Sequence, residues 1–296
     1  MAYKGRRVKK KPIYKKPEFW VVVIVAALIL ALAIWVVSVL GGSGPMIRRP
    51  DPTTEPTSMT RPPEGETLPP PPKNPYGPID FIHEEETGEI TLTSGNAVKG
   101  IDVSEWNGEI DWQQVKDSGV EYVIIRVGGR GTEEGTLYGD GSAQTYYEGA
   151  TAAGLKVGAY FFSQSITVEE AVEEAKFVLD AVKDWDVQMP LVYDWEYVDK
   201  AARTGDMDAM TLTDMAKAFC DTIRVGGYTP MIYFGRSQSM DMLILEELVS
   251  YPFWLAMYST IMDYPYQIDM WQYTDEGTVP GISGNVDMNL LFTYDE

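Results

Sequence analysis

Hydrophobic residues follow three regimes along this chain. From Phe19 to Leu40 they form a nearly unbroken run, which as a helix would be roughly 33 Å long and able to span a bilayer core. From residue 41 to about residue 95 the apolar pattern stops, apart from Glu89-Ile90-Thr91-Leu92-Thr93, which can form a short strand. Beyond Asn96, short apolar runs alternate with amphipathic stretches to the end of the chain. The runs start at Val98, Tyr122, Lys156, Leu191, Pro230, Phe253, Asp269 and Val286. Eight such runs in one domain predict a closed, parallel-type barrel. Between them, Thr167-Val168-Glu169-Glu170 is a capping-box pattern opening a helix with Val172, Ala175, Val178, Leu179 and Val182 on one face. Gly154 and Gly227 stand where helices should stop before the third and fifth strands. After Phe234 the connections shorten and lose helical character. The expected fold is therefore α/β: an irregular TIM-like (β/α)-barrel with about five βα units followed mostly by β, behind one transmembrane helix and a stalk.

Charge sets the orientation of the apolar run. Lys4, Arg6, Arg7, Lys9, Lys10, Lys11, Lys15 and Lys16 precede it against the single acid Glu18. The whole chain is −20 at pH 7 and residues 1–18 carry +7, so everything beyond carries −27. Positive charge before the span predicts a cytoplasmic N-terminus and an external C-terminal domain in the cell membrane. Val37-Ser38-Val39-Leu40-Gly41 is a poor cleavage site, which favours an uncleaved signal anchor. An acidic domain is repelled by nucleic acid, so no nucleic-acid partner is expected. Residues 41–78 hold 12 of the 19 prolines, an extended spacer composition. The expected layout is a basic tail over 1–18, a membrane helix over 19–40, a Pro-rich linker over 41–95 and a catalytic domain over 96–296.

Several chemistries are excluded by composition. His83 is the only histidine and Cys220 the only cysteine, which removes histidine-based triads, imidazole-held zinc and internal disulfides. Gly128-Gly129-Arg130-Gly131 runs into Thr132-Glu133-Glu134 and is no phosphate loop. What remains is Asp194-Trp195-Glu196, at the end of the run Pro190-Leu191-Val192-Tyr193. On a strand, alternation sends both carboxylates to one side, their Cα atoms roughly 6.5 to 7 Å apart. A carboxyl pair able to divide into an acid and a charged partner is the equipment of glycoside hydrolysis. Barrel chemistry gathers at strand ends; these supply Asp102, Asp194 with Glu196, and Asp287, with Tyr160, Tyr233, Tyr258 and Trp271 nearby. Singly, Asp102 or Asp287 could serve a turn and the aromatics could be core; their joint placement makes the case. No metal and no organic cofactor is called for.

Gly100-Ile101-Asp102-Val103-Ser104 and Ile110-Asp111-Trp112-Gln113-Gln114-Val115-Lys116 resemble the opening of the family 25 glycoside hydrolases, the Chalaropsis-type lysozymes. The likeness continues through Ala153 to Tyr160, Pro190 to Glu196, Gly227-Tyr228-Thr229-Pro230, Trp271-Gln272-Tyr273 and Val286-Asp287-Met288-Asn289, in order, over residues 97–296. It implies an N-acetylmuramidase acting on peptidoglycan glycan strands, with Glu196 as general acid and Asp194 as nucleophile or as orienter of the substrate's own N-acetyl group. Asp102 and Asp287 would complete the acidic site, and Tyr160, Tyr233, Trp254, Tyr258 and Trp271 would contact sugar. Many members have histidine where this chain has Phe161, a departure that touches specificity more than chemistry. Two other readings stay open at this point: a tethered glycan-binding module with little catalysis, and a chitinase-like glycosidase. Partners in cell-wall or division machinery are not specified by the sequence.

Overall fold

All eight apolar runs become strands, and nothing else enters the barrel wall. A computed structural model describes residues 68–85 and 87–294; the basic tail, the apolar run 19–40 and the first part of the linker lie outside them. Among the described residues no helix is long and apolar enough to cross a membrane. The wall is built from β3 (Asn96–Val103), β4 (Tyr122–Arg130), β6 (Lys156–Ser163), β7 (Leu191–Trp195), β8 (Pro230–Gly235), β9 (Phe253–Ala256), β10 (Met270–Gly277) and β11 (Val286–Thr293). Pairing runs β3, β11, β10, β9, β8, β7, β6, β4, and a β3–β4 pairing closes the ring. A short β5 (Leu137–Gly139), missing from the sequence reading, pairs antiparallel with the end of β4.

Five helices cross between parallel strands, as expected: α1 (Trp112–Asp117), α2 (Ala143–Ala152), α3 (Val168–Ala181), α4 (Ala209–Val225) and α5 (Arg236–Asp241). Thr167 caps α3 by accepting from the Glu170 amide at 3.3 Å, while Glu170 reaches back to the Ile166 amide at 2.9 Å. Gly154 and Gly227 have φ of +79° and +86°, which a side chain would strain, so each ends its helix. The buried side of α3 is Ala171, Glu174, Ala175 and Val178. It is rotated from the expected face because buried Glu174 turns inward to accept from Arg130 at 2.7 Å and Ser163 at 2.6 Å.

One strand departs from the parallel-type expectation. β11 is antiparallel to both β10 and β3. Residues 278–285 join β10 to β11 with no crossover helix, and a short connection returns a strand only in the opposite sense. Reversal puts the start of β11, not its end, at the rim where the other strands finish.

Alternation divides the side chains into two layers. Tyr122, Ile124, Val192, Met231, Tyr233, Trp254, Met270 and Leu291 fill the barrel interior with Met189, while the opposite face packs under the helices. Gly100 is needed inside, because a Cβ there would lie 2.1 Å from the Tyr122 ring.

The folded part also begins earlier than Asn96, which corrects the linker boundary. β1 (Phe81–His83) and β2 (Ile90–Leu92) form a hairpin whose Phe81, Ile90 and Leu92 join the main core. The Phe81 ring meets Trp271 edge-on at 5.3 Å and Phe292 at 6.1 Å. Farther upstream, the Gln267 amide donates to the Pro72 carbonyl at 2.8 Å. The short strand expected over residues 89–93 is β2, but its partner β1 and their packing on the core had no local signal, because that burial comes from partners nearly two hundred residues away. Truncating Phe81→Ala should therefore cost ~3 kcal/mol in denaturant-induced unfolding, the scale of a buried aromatic deletion. A hairpin belonging to the linker would give a change near zero.

Candidate active site

The barrel mouth gathers most of the residues that the sequence nominated. Asp102 lies one residue before the end of β3, Asp194 lies near the end of β7 with Glu196 just beyond it, and reversed β11 sets Asp287 directly beside Asp102 in the ladder. All four acids, together with Tyr160, Tyr233, Trp254 and Tyr258, line one pocket of about 130 Å³. Asp194 and Glu196 share a side as alternation requires, while Trp195 points away and donates its indole N–H to the Ser165 carbonyl at 3.0 Å.

Trp271 is the exception and is withdrawn as a sugar contact. It is fully buried on the outer face of β10, between Phe81 and Tyr273, with Nε1 donating to the Met257 carbonyl at 2.8 Å. Its neighbour Gln272, one step along the strand, takes the inward position.

Gln272 and Asn289 were missed by the sequence reading, and both organise the acids. Each donates to Asp102 Oδ2 at 2.8 Å. The Gln272 carbonyl oxygen in turn accepts from Tyr233 at 2.8 Å and Tyr258 at 3.2 Å, and Asn289 Oδ1 accepts from the Trp254 indole at 2.8 Å. Period-two counting from Met270 and from Asp287 would have found them, since both lie on the inward face. Arg126, inward on β4, was missed for the same reason. Its charge is held by Asp140 at 2.8 Å and Glu105 at 3.3 Å. Trp106, on the turn just after β3, is 82% exposed, an unusual setting for so large an apolar ring.

The main chain around Glu196 is fixed by two further side-chain amides. Gln164, fully buried after β6, donates to the Glu196 carbonyl at 2.7 Å and accepts from Thr204 at 3.1 Å. From α5, Gln238 donates to the Trp195 carbonyl at 2.8 Å. Arg203 braces this corner, donating to the Gln164 carbonyl at 2.8 Å and forking onto Glu170 at 2.9 and 2.7 Å.

Burial dominates the electrostatics. It lifts Asp102 to about 6 despite the two amide donors, with Glu196 adding repulsion. Asp287 rises to about 8, first from burial and then from Asp102 and Asp275. Burial raises both Glu196 and Asp194, and Asp194, the deeper of the two, well above the carboxylate range. Asp194 Oδ1 is buried with no partner, so desolvation is uncompensated there. The two neighbouring carboxyls repel one another, which adds to the burial penalty on charging Asp194. Among the described residues no cluster of histidine, cysteine and carboxylates is arranged to hold a metal.

Comparison with known proteins agrees with this geometry. Residues 101–282 match the model for glycosyl hydrolases family 25. The chain belongs to that family. It is 28% identical over 196 residues to the autolytic lysozyme of Clostridium acetobutylicum, covering 65% of this chain and 55% of that one. To lysozyme M1 of Streptomyces globisporus it is 26% identical, covering 70% and 71%. The solved modular autolysin LytC from Streptococcus pneumoniae, in complex with a synthetic peptidoglycan ligand, superposes with a TM-score of 0.60 at 26% identity, over 72% of this chain and 52% of LytC. The chain thus spans about half the length of the clostridial lysozyme and of LytC. The hairpin β1–β2 lies outside the family match.

A pH prediction follows from the raised acids. An unfolded Asp titrates near 4. Asp287 at about 8 therefore favours the folded state at low pH, and that contribution is lost as pH rises through about 8. Thermal midpoints of the wild type should fall between about pH 5 and about pH 9, and Asp287→Asn should flatten that fall. An equally steep decline in the variant would remove Asp287 as its source.

Proposed function

We propose that the enzyme is an N-acetylmuramidase, a lysozyme that cleaves the β-1,4 bond between N-acetylmuramic acid and N-acetylglucosamine in peptidoglycan with retention of configuration. The observation that carries this reading is the convergence of Asp194 and Glu196 with Asp102 and Asp287 in one pocket of a family 25 barrel. The names of the matched lysozymes, and LytC's peptidoglycan ligand, support peptidoglycan as the substrate. A second cavity of about 300 Å³ shares Glu196 and Tyr233 with the pocket, so the acid sits in a cleft longer than one sugar.

Glu196 is the general acid. It shares one proton with Asp194, because burial and mutual repulsion oppose charge on both, and Asp194 Oδ1 has no donor from the protein. A substrate N-acetyl N–H placed on that oxygen favours the Asp194 carboxylate and so shifts the proton to Glu196. Glu196 then protonates the glycosidic oxygen as the bond from C1 to that oxygen breaks. The N-acetyl carbonyl oxygen attacks C1, with Asp194 holding the N–H and stabilising the positive charge. Water opens the resulting ring, giving its proton to the Glu196 carboxylate, and two inversions yield net retention. Asp102, held by Gln272 and Asn289, keeps Tyr233 and Tyr258 in place through Gln272.

Glu196→Gln preserves shape and removes the acid, so peptidoglycan turnover should fall by about 10² to 10⁴-fold while the fold survives. Mass analysis of released fragments decides the bond: new reducing ends on N-acetylmuramic acid support the assignment, and reducing ends on N-acetylglucosamine or no fragments overturn it. We further place the enzyme outside the cell membrane, tethered by residues 19–40 and acting on the producer's own wall. The full chain should then fractionate with membranes and a chain lacking residues 1–40 should not; equal recovery in the soluble fraction would refute the anchor.

A further inference from the structure

We propose that the β1–β2 hairpin adds a glycan subsite to this enzyme: the groove between its tip and the β10–β11 turn holds a further N-acetylhexosamine of the strand whose cleavage is proposed above. The inference rests on that reading of the substrate. The groove has a volume of about 350 Å³, larger than the pocket that holds the acids and within the usual range of ligand sites. Tyr258 lines both compartments, 54% exposed and steadied by its hydroxyl bond to Gln272. The Tyr258 ring is thus a shared wall over which a strand leaving the pocket would reach the groove.

The lining fits a sugar better than the other molecules of a cell wall. The exposed part of the Tyr258 ring supplies apolar surface above a nearly buried floor of Ile90, Tyr273 and Met288, and Ser259, Thr274 and Asp275 supply hydroxyl and carboxylate groups. Such a mixture suits a pyranose, with its apolar C–H faces and rim of hydroxyls. Acids on this wall repel phosphate polymers, and the polar share disfavours a lipid chain.

Packing alone does not account for the hairpin's length. Phe81, Ile90 and Leu92 anchor it, whereas His83, Thr87 and Gly88 extend past that buried row, stay exposed, and form one wall of the groove.

Thr87→Trp and Thr278→Trp fill the groove from opposite walls without touching the acid pocket. With the full chain and purified glycan strands sorted by length, kcat/KM should rise about tenfold from the shortest strand cleaved to longer ones, equivalent to ~1.4 kcal/mol of added binding. Both variants should lose that preference and keep the wild-type rate on the shortest strand. A wild type indifferent to length, variants that retain the preference, or variants equally impaired on short and long strands would each overturn the subsite. Failure of the wild type to cleave any strand would instead overturn the muramidase reading itself.

Discussion

Closure of the barrel through β11 is the constraint on which the site depends. Six of its joints could be made by repeating a parallel unit, but the ring closes only because β11 runs backward between β10 and β3. That single antiparallel insertion pairs Asp287 with Asp102 and sets Asn289 two residues deeper, against Trp254 and Asp102. A parallel last strand would carry the same residues to the far end of the barrel. Chain direction at one joint thus decides whether two of the four acids can act together.

The acids are held by dipoles more than by cations. Asp102 is met by two amide N–H groups, and Arg126, the nearby guanidinium, is already engaged by Asp140 and Glu105. Amide donors fix geometry while offsetting only part of the desolvation, which leaves the carboxyls high in pKa and able to exchange protons near neutrality. A full salt bridge at Asp102 or Asp194 would have pinned the charge and removed the acid from circulation.

Much of this was legible in the chain. Short apolar runs map one to one onto wall strands because a strand buried on both faces must be apolar along its length. Helix α3 followed from its cap, the ends of α2 and α4 from their stop glycines, and the four acids from strand ends. Other features were hidden, each for a physical reason. The hairpin depends on distant rings, the reversal of β11 on a missing crossover, and the place of Trp271 on a one-residue parity that separates it from Gln272. Gln272 and Asn289 were uncharged among acids, and carried no chemistry until their partners were known.

Glu196 sits one residue beyond β7, where the strand ladder no longer holds it. Gln164 and Gln238 take over that task, and Arg203 with Thr204 fastens the returning chain to the same corner. The exposed residues 197–201 therefore hang between two fixed ends. Its sequence and length can change without moving Glu196, so the side chains it brings to the cleft, Tyr197 among them, are free to vary while the carboxyl beside them stays in place.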